Sequence, residues 1–427
     1  MDAQLESLHR RSARAWVILA LAAVAASVSG PGPCVSFAAV QSTDRVGGVE
    51  VLRDDRMRAV APDVTAPSGM LVTGDGQELW SRAADEPRAM ASITKVMTAI
   101  VVLESGHSLD ELVTVPPTAA SVGESEAGLA AGQRVSVRTL LEAMLVHSAN
   151  DAATALALHV AGSEASFVRM MNEKAAALDA TGTAFANPHG LDAPGHHTTA
   201  RDLATISRYA LSNPEFRRIV AMRSVVVPAP TGKKRFENSN KLIGRYPGAT
   251  GIKTGWTDEA GYCLVASAER QGVTLVCVVL GTRSEEERFA QARRILDWGF
   301  EHYRQRTLVS AGTTLAAVPV EDYLDLAVPA VVRTAAAAEV FDVRGPLEAT
   351  VTVVASVRAP VSKGAVLGTL AVTQGETLVA QVPLVAAHDI VAPPWHERVR
   401  VFAVRAWRKI FGGPLKAQRW VARPAVQ

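Results

Sequence analysis

Three short groups of residues carry side chains able to do covalent chemistry together. Ser92-Ile93-Thr94-Lys95 sets a hydroxyl and an amine at i and i+3. On a helix these lie on one face, about 5–6 Å apart at Cβ. A serine hydroxyl is a weak nucleophile until a base takes its proton, and lysine is such a base only where its surroundings lower its pKa. Ser148-Ala149-Asn150 adds a second hydroxyl and an amide. Lys253-Thr254-Gly255, followed by Trp256, adds a cation, a hydroxyl and a glycine. A glycine inside a strand marks a close approach of backbone or ligand, and such a strand edge suits a peptide ending in a carboxylate. Taken singly, each group also has an ordinary reading: a surface lysine at a helix start, a helix N-cap, an exposed strand residue.

The elements that must position these groups follow from periodicity. From Ser92 onward Val96, Ala99, Ile100 and Leu103 repeat at helical spacing. Residues 136–210 read as several helices, with Ser136 and Ser163 as N-caps and Gly162 as a C-cap. Residues 69–82 hold two short apolar runs around Gly74-Asp75-Gly76, a hairpin signal. Strand-like runs return at 222–280, and a helix follows over 285–303. Strands at both ends with helices between predict one α/β unit, its sheet completed by distant segments and a helical subdomain inserted. From 307 to 393 apolar alternation, with a hairpin at Gln374-Gly375, predicts a separate small all-β domain.

The three groups in this order, Ser-x-x-Lys, Ser-x-Asn and Lys-Thr-Gly, form the motif set of penicillin-binding proteins and serine β-lactamases. The chain resembles the low-molecular-mass penicillin-binding proteins, the D-alanyl-D-alanine carboxypeptidases. The likeness extends to MASITKVMTA, HSANDAATALA, ANPHGLDAPGHHTTARDLA, GIKTGWTDEAGYCLVASA and GTRSEEERF. It covers about residues 62–305, and more loosely the rest. It implies an α/β (α+β) β-lactamase/transpeptidase-like domain with an inserted helical subdomain, then a small all-β domain and a C-terminal amphipathic helix. It further implies a serine peptidase that removes the terminal D-alanine from peptidoglycan stem peptides and is acylated by β-lactams, with no cofactor or metal. By resemblance, Ser92 is the nucleophile, Lys95 its base and Ser148 a proton relay. Asn150 holds the substrate amide, while Lys253, Thr254 and Gly255 receive the terminal carboxylate and acyl side. The Ser92 and Trp256 amides form the oxyanion hole, and Arg288 adds to carboxylate binding. Ala149 departs from the glycine that many relatives carry between the serine and asparagine.

Two alternatives share these motifs. A class A-like β-lactamase also needs a glutamate that activates the deacylating water, and no Glu-x-x-Leu-Asn segment lies between Asn150 and Lys253. A catalytically silent peptidoglycan-binding protein would not need Ser92, Lys95, Ser148, Asn150 and Lys253 intact. His147, His189, His196 and His197 read as structural or substrate-lining residues, not metal ligands.

The N-terminus points to export. Arg10, Arg11 and Arg14 precede the apolar run Ala15–Val28, and Ser36-Phe37-Ala38 suits cleavage. Fourteen helical residues span about 21 Å, short of a ~30 Å hydrocarbon core. The expected division is a signal at 1–38 carrying Cys34, a linker at 39–61, the catalytic domain at 62–305, a β-rich domain at 306–393 and a tail at 394–427. With 427 residues, 48% hydrophobic, 20% charged and a net charge of +2, the whole is ordinary globular material. The charge is uneven: residues 395–423 hold eight Lys/Arg against Glu397. Trp395–Phe411 alternates apolar and basic faces, the pattern of an interfacial helix. The membrane surface is therefore the expected partner and nucleic acid is not, with the protein held at the outer face of the cytoplasmic membrane. Cys263 and Cys277 lie on two runs joined by Glu269-Arg270-Gln271-Gly272. Pairing there brings together residues whose numbers sum to about 541, so the two cysteines point to opposite faces as buried free thiols.

Overall fold

A computed structural model describes residues 43–51, 61–229 and 232–422. The expected export signal over 1–38, with its cleavage site and Cys34, lies outside the described residues.

The catalytic-motif half is built on a seven-stranded antiparallel sheet. Its strands are β1 (Asp44–Val46), β2 (Val49–Val51), β3 (Ser68–Thr73), β4 (Glu78–Arg82), β5 (Ala249–Thr257), β6 (Gly261–Arg270) and β7 (Val273–Thr282). They lie in the order β2-β1-β4-β3-β7-β6-β5, so the first and last segments of this half complete one sheet, as the sequence predicts. Val276, Val278 and Leu280 of β7 enter the core on one face; Leu275, Cys277 and Val279 enter the core on the other. Burial on both faces explains why this strand reads as an unbroken apolar run and not as an alternation.

The first core lies between the sheet and the helices α1 (Lys95–Glu104), α2 (Asn150–Ala161), α3 (Glu164–Ala177) and α4 (Ala200–Ser212). The second lies under α5 (Glu285–His302), whose Phe289, Ala292, Ile295 and Leu296 pack on the opposite face of the sheet. The hydroxyls of Ser136 and Ser163 cap their helices by accepting from Thr139 N and Ser166 N, and Gly162 ends α2 at φ 72°.

Two expectations are corrected. The segment expected as a linker holds the β1–β2 hairpin, and β1 pairs with β4. The β6–β7 turn consists of Gln271 and Gly272 alone, at φ 51° and 82°. Arg270 therefore faces Val273 and Ala266 faces Cys277, a sum of 543. Opposite facing survives the shift: Cys263 belongs to the first core, Cys277 to the second, and both are free and buried.

Beyond α5 the chain enters the strand Tyr303–Val309, which pairs with Ala336–Phe341. The expected boundary at 305/306 falls inside this strand. A six-stranded sheet follows, including the expected hairpin, Val366–Gln374 with Thr377–Ala386. The last helix, α6 (Trp395–Phe411), buries only Val401. Among the described residues no helix is long and apolar enough to cross a membrane.

Candidate active site

Ser92 sits in a 3₁₀ turn, Ala91–Thr94, that runs directly into α1, whose first residue is Lys95. The approach is tight. Ala91 adopts φ 49°, a left-handed conformation that a residue with a Cβ holds only when its surroundings impose it. Gly190 presses on this turn at φ 95°, and a Cβ there would lie 2.1 Å from Ala91 O. Gly255 of β5 closes from another side, where a Cβ would sit 3.0 Å from Ser92 N. Both positions require glycine so that two backbones can press against the serine turn.

Lys95 is fully buried. Its Nζ lies 2.8 Å from Ser92 Oγ, 2.7 Å from Asn150 Oδ1 and 2.6 Å from His189 O. Burial, then the nearby Lys253 cation, pushes its pKa well below the usual lysine range. Asn150 opens α2 and is not its cap; its Nδ2 donates to Gly123 O at 3.1 Å, which fixes Oδ1 toward Lys95. Ser148 is not that helix's N-cap either. It follows a π-helical turn, Ala143–His147, and adopts φ 75° with its N–H donating to Ala143 O. π-turns and left-handed non-glycine residues concentrate at functional sites.

Lys253 is fully buried on β5, and its ammonium donates to Thr254 O at 2.9 Å. Burial, then Arg288, pushes its pKa down to about 7. Thr254 Oγ1 donates to Ser239 Oγ at 2.8 Å. Trp256 is half exposed beside Tyr262.

A family profile described as D-alanyl-D-alanine carboxypeptidase matches residues 55–284, and one described as penicillin-binding protein 5, C-terminal domain, matches residues 303–392. The chain belongs to the D-alanyl-D-alanine carboxypeptidase family. Carboxypeptidase DacF of Bacillus subtilis is 32% identical over 337 residues, 76% of this chain and 86% of the relative. Carboxypeptidase DacC of Escherichia coli is 33% identical over 371 residues, 82% and 91% of the two chains. The crystal structure of carboxypeptidase DacD from Francisella tularensis matches with a TM-score of 0.60 and 27% identity, covering 80% of this chain and 98% of that one. Penicillin-binding protein 6B of Escherichia coli matches with a TM-score of 0.59 and 31% identity, covering 76% and 96%. These matches favour neither the β-lactamase nor the silent binding protein.

Other residues of this carboxypeptidase act on the site through neighbours. Arg288 is buried behind β5, where it donates to Gly255 O and to Glu285 Oε1, both at 3.0 Å. His196 has both ring nitrogens engaged, with Thr94 Oγ1 and Ala186 N. Burial drives His189 to about 3 and His196 to about 4, so both are neutral at neutral pH. His147 stacks on Phe236 at 4.0 Å.

Sequence reasoning missed Ser239, Gly123 and Gly190. The polar triplet Asn238-Ser239-Asn240 before the Lys253 strand was a signal for the first. For the glycines no local signal exists, because what they approach is distant in sequence.

Proposed function

We propose that this D-alanyl-D-alanine carboxypeptidase works through an acyl-enzyme on Ser92, with neutral Lys95 as its base. The observation that carries this reading is the set of partners around Lys95 Nζ. A neutral amine has two N–H bonds and one lone pair. Asn150 Oδ1 and His189 O are both carbonyl oxygens and can only accept. In the neutral form these two would consume both N–H bonds and leave the lone pair toward Ser92 Oγ, 2.8 Å away. The lowered lysine pKa favours that neutral form.

Ser92 Oγ attacks the carbonyl carbon of the peptide bond between the two terminal D-alanines, and its proton passes to Lys95. The carbonyl electrons move to oxygen, held by the N–H groups of Ser92 and Trp256; losing one such donor costs about 3–4 kcal/mol in the transition state. The C–N bond breaks as Ser148 relays the proton to the leaving amine. Water then attacks the ester, with Lys95 taking and returning a proton. Asn150 holds the substrate amide. Lys253 and Thr254 receive the terminal carboxylate, with Gly255 keeping the strand close and Arg288 bracing it. A β-lactam enters the same path and stops at the ester.

The proposal extends to place. An export signal over 1–38 would carry the enzyme outside, and the tail from 394 onward would hold it to the outer face of the membrane. The six large apolar side chains that α6 leaves exposed, Trp395, Val399, Phe402, Trp407, Ile410 and Phe411, support this.

Fluorescent penicillin labelling and D-alanine release tested together on Ser92→Ala decide the chemical step. Both should fall to background while the fold, read by circular dichroism, is kept. Stoichiometric labelling of the variant would remove Ser92 from the nucleophile's role.

A further inference from the structure

Well away from Ser92, three side chains converge whose chemistry the peptidase reaction does not use. His107 follows α1, Glu111 precedes the short strand Leu112–Thr114, and His159 lies in the last turn of α2. His107 Nδ1 is 2.9 Å from Glu111 Oε2, and His159 Nε2 is 3.2 Å from Glu111 Oε1. The two imidazole rings stand 4.5 Å apart, and one donor atom from each of the three residues falls within 4.8 Å of the others. His159 Nε2 is buried and makes no hydrogen bond, despite its closeness to the carboxylate. A buried nitrogen without a hydrogen bond calls for an explanation.

We propose that His107, Glu111 and His159 form a zinc site. Zinc binds imidazole nitrogen and carboxylate oxygen at about 2.0–2.2 Å in tetrahedral sites, which places neighbouring donors about 3.3 Å apart. Glu111 meets the two imidazoles through its two different oxygens, at 2.9 and 3.2 Å, and one donor atom from each residue already lies within 4.8 Å of the others, so a small closure of the three side chains would reach that edge. The buried His159 nitrogen is then a ligand, and its missing hydrogen bond is explained. Two imidazoles and one carboxylate select zinc over calcium or magnesium, which take oxygen ligands. The side chains are 19–39% exposed, so water can reach the fourth position.

The site has a mechanical consequence. Lys95 opens α1 and Asn150 opens α2, and their side chains meet at 2.7 Å. His159 lies nine residues along α2, about 13 Å from that contact by helix rise. Glu104, the last residue of α1, lies equally far along the other helix. The metal therefore ties the far ends of the two helices whose near ends carry the peptidase machinery. It acts as a staple, without touching substrate.

The test uses the chelator-stripped full chain at neutral pH. Zinc is titrated against a chromogenic chelator, and thermal melting and penicillin acylation are followed in parallel. One zinc per chain should bind at micromolar concentration or below, and the melting temperature should rise with zinc. Binding should weaken in acid, because protons compete with the metal for its ligands. Glu111→Gln and His159→Ala should each lose affinity by on the order of a hundredfold or more, since even outer-shell partners of a metal are worth 10–100-fold. Glu111→Gln preserves size and hydrogen bonding, and its unchanged rate of acylation certifies that it is folded. X-ray absorption on the wild type should show nitrogen and oxygen neighbours and no sulfur. The site is refuted if zinc binds only at millimolar concentration, if both variants keep wild-type affinity, or if the first shell contains sulfur. An outcome in which the variants lower the melting temperature without zinc playing any part leaves a hydrogen-bonded staple and overturns the metal.

Discussion

Lys253 is buried with its side chain donating to the carbonyl of Thr254, and its pKa of about 7 has a consequence that can be measured. In the unfolded chain it returns to the ordinary lysine value near 10.4. Between about 7 and that value the unfolded chain holds a proton that the folded one does not. Stability contributed by this residue therefore rises with pH across the window and is lowest below it. In the proposed role of Lys253, binding a substrate carboxylate runs the other way, because the partner must be the ammonium. Above pH 7 each binding event takes up a proton, and KM should rise by up to about tenfold per pH unit. A substrate whose terminus is amidated should show no such rise, and neither should Lys253→Ala with either substrate. Amidation should also weaken the wild type strongly and the variant little. Identical KM profiles for wild type and variant would place the carboxylate elsewhere. At this scale the sequence was most legible: Ser92, Lys95, Ser148, Asn150 and Lys253 announce themselves by type and spacing. What could not be read was the environment that surrounds them. That environment includes the His189 carbonyl and Gly190, supplied by a distant segment, whereas Gly255 was marked by its place inside a strand.

Among the elements, long apolar runs and capped helices were readable because their signals are local. The β1–β2 hairpin was not, since Asp44–Val51 is short, charged and interrupted by Gly47-Gly48, which turn at φ 56° and 87°. Its place in the sheet depends on a partner 38 residues away. The Asp44 carboxylate accepts from Arg82 Nε at 2.6 Å, from Arg82 Nη2 at 2.7 Å and from Trp80 Nε1 at 3.2 Å, with both charged side chains 2% exposed. Arg82 also donates to Val64 O and Ala66 O. Removing the acid leaves a buried guanidinium without its counter-charge. Asp44→Ala should then cost about 3–5 kcal/mol of unfolding free energy in urea. The double replacement Asp44→Leu with Arg82→Met should recover much of the loss, because the desolvation penalty disappears with both charges. A loss in Asp44→Ala below about 1 kcal/mol would mean that the hairpin is held by its backbone pairing alone. The misread β6–β7 turn has a related origin: Gln271 takes a left-handed conformation that sequence assigns to glycine or asparagine, so four residues looked necessary where two suffice.

On the scale of the whole molecule, the two halves meet through Phe341, whose ring lies 5.7 Å from Trp298 and 6.3 Å from Tyr303, and α6 stands beyond them on the β-rich half. Its attachment divides its side chains unexpectedly. Val401 is buried, Arg405 donates to Tyr323 O and Leu415 O, and Arg408 donates to Pro414 O and pairs with Asp325. Arg405 and Arg408, part of the basic face read from sequence, are thus tethers to the protein. The apolar face is left free, with Trp395 77%, Phe402 76% and Ile410 75% exposed. Full burial of such side chains gains at most about 1.5–3 kcal/mol each, and a basic residue near an anionic leaflet adds about 1 kcal/mol. Six apolar side chains outweigh the few free cations, so apolar insertion should dominate membrane binding. A chain ending at Ala392 keeps every motif residue and should cleave short peptides at the full-length rate. It should no longer sediment with anionic vesicles. The full-length protein should lose only part of its binding as salt rises, because screening acts on the charged component alone. Phe402→Ser with Ile410→Ser should release the enzyme more completely than Arg398→Ala with Lys409→Ala, in co-sedimentation at moderate salt. The reverse order would make the charges, not the apolar face, the anchor, and equal sedimentation of the shortened chain would take the membrane contact away from α6.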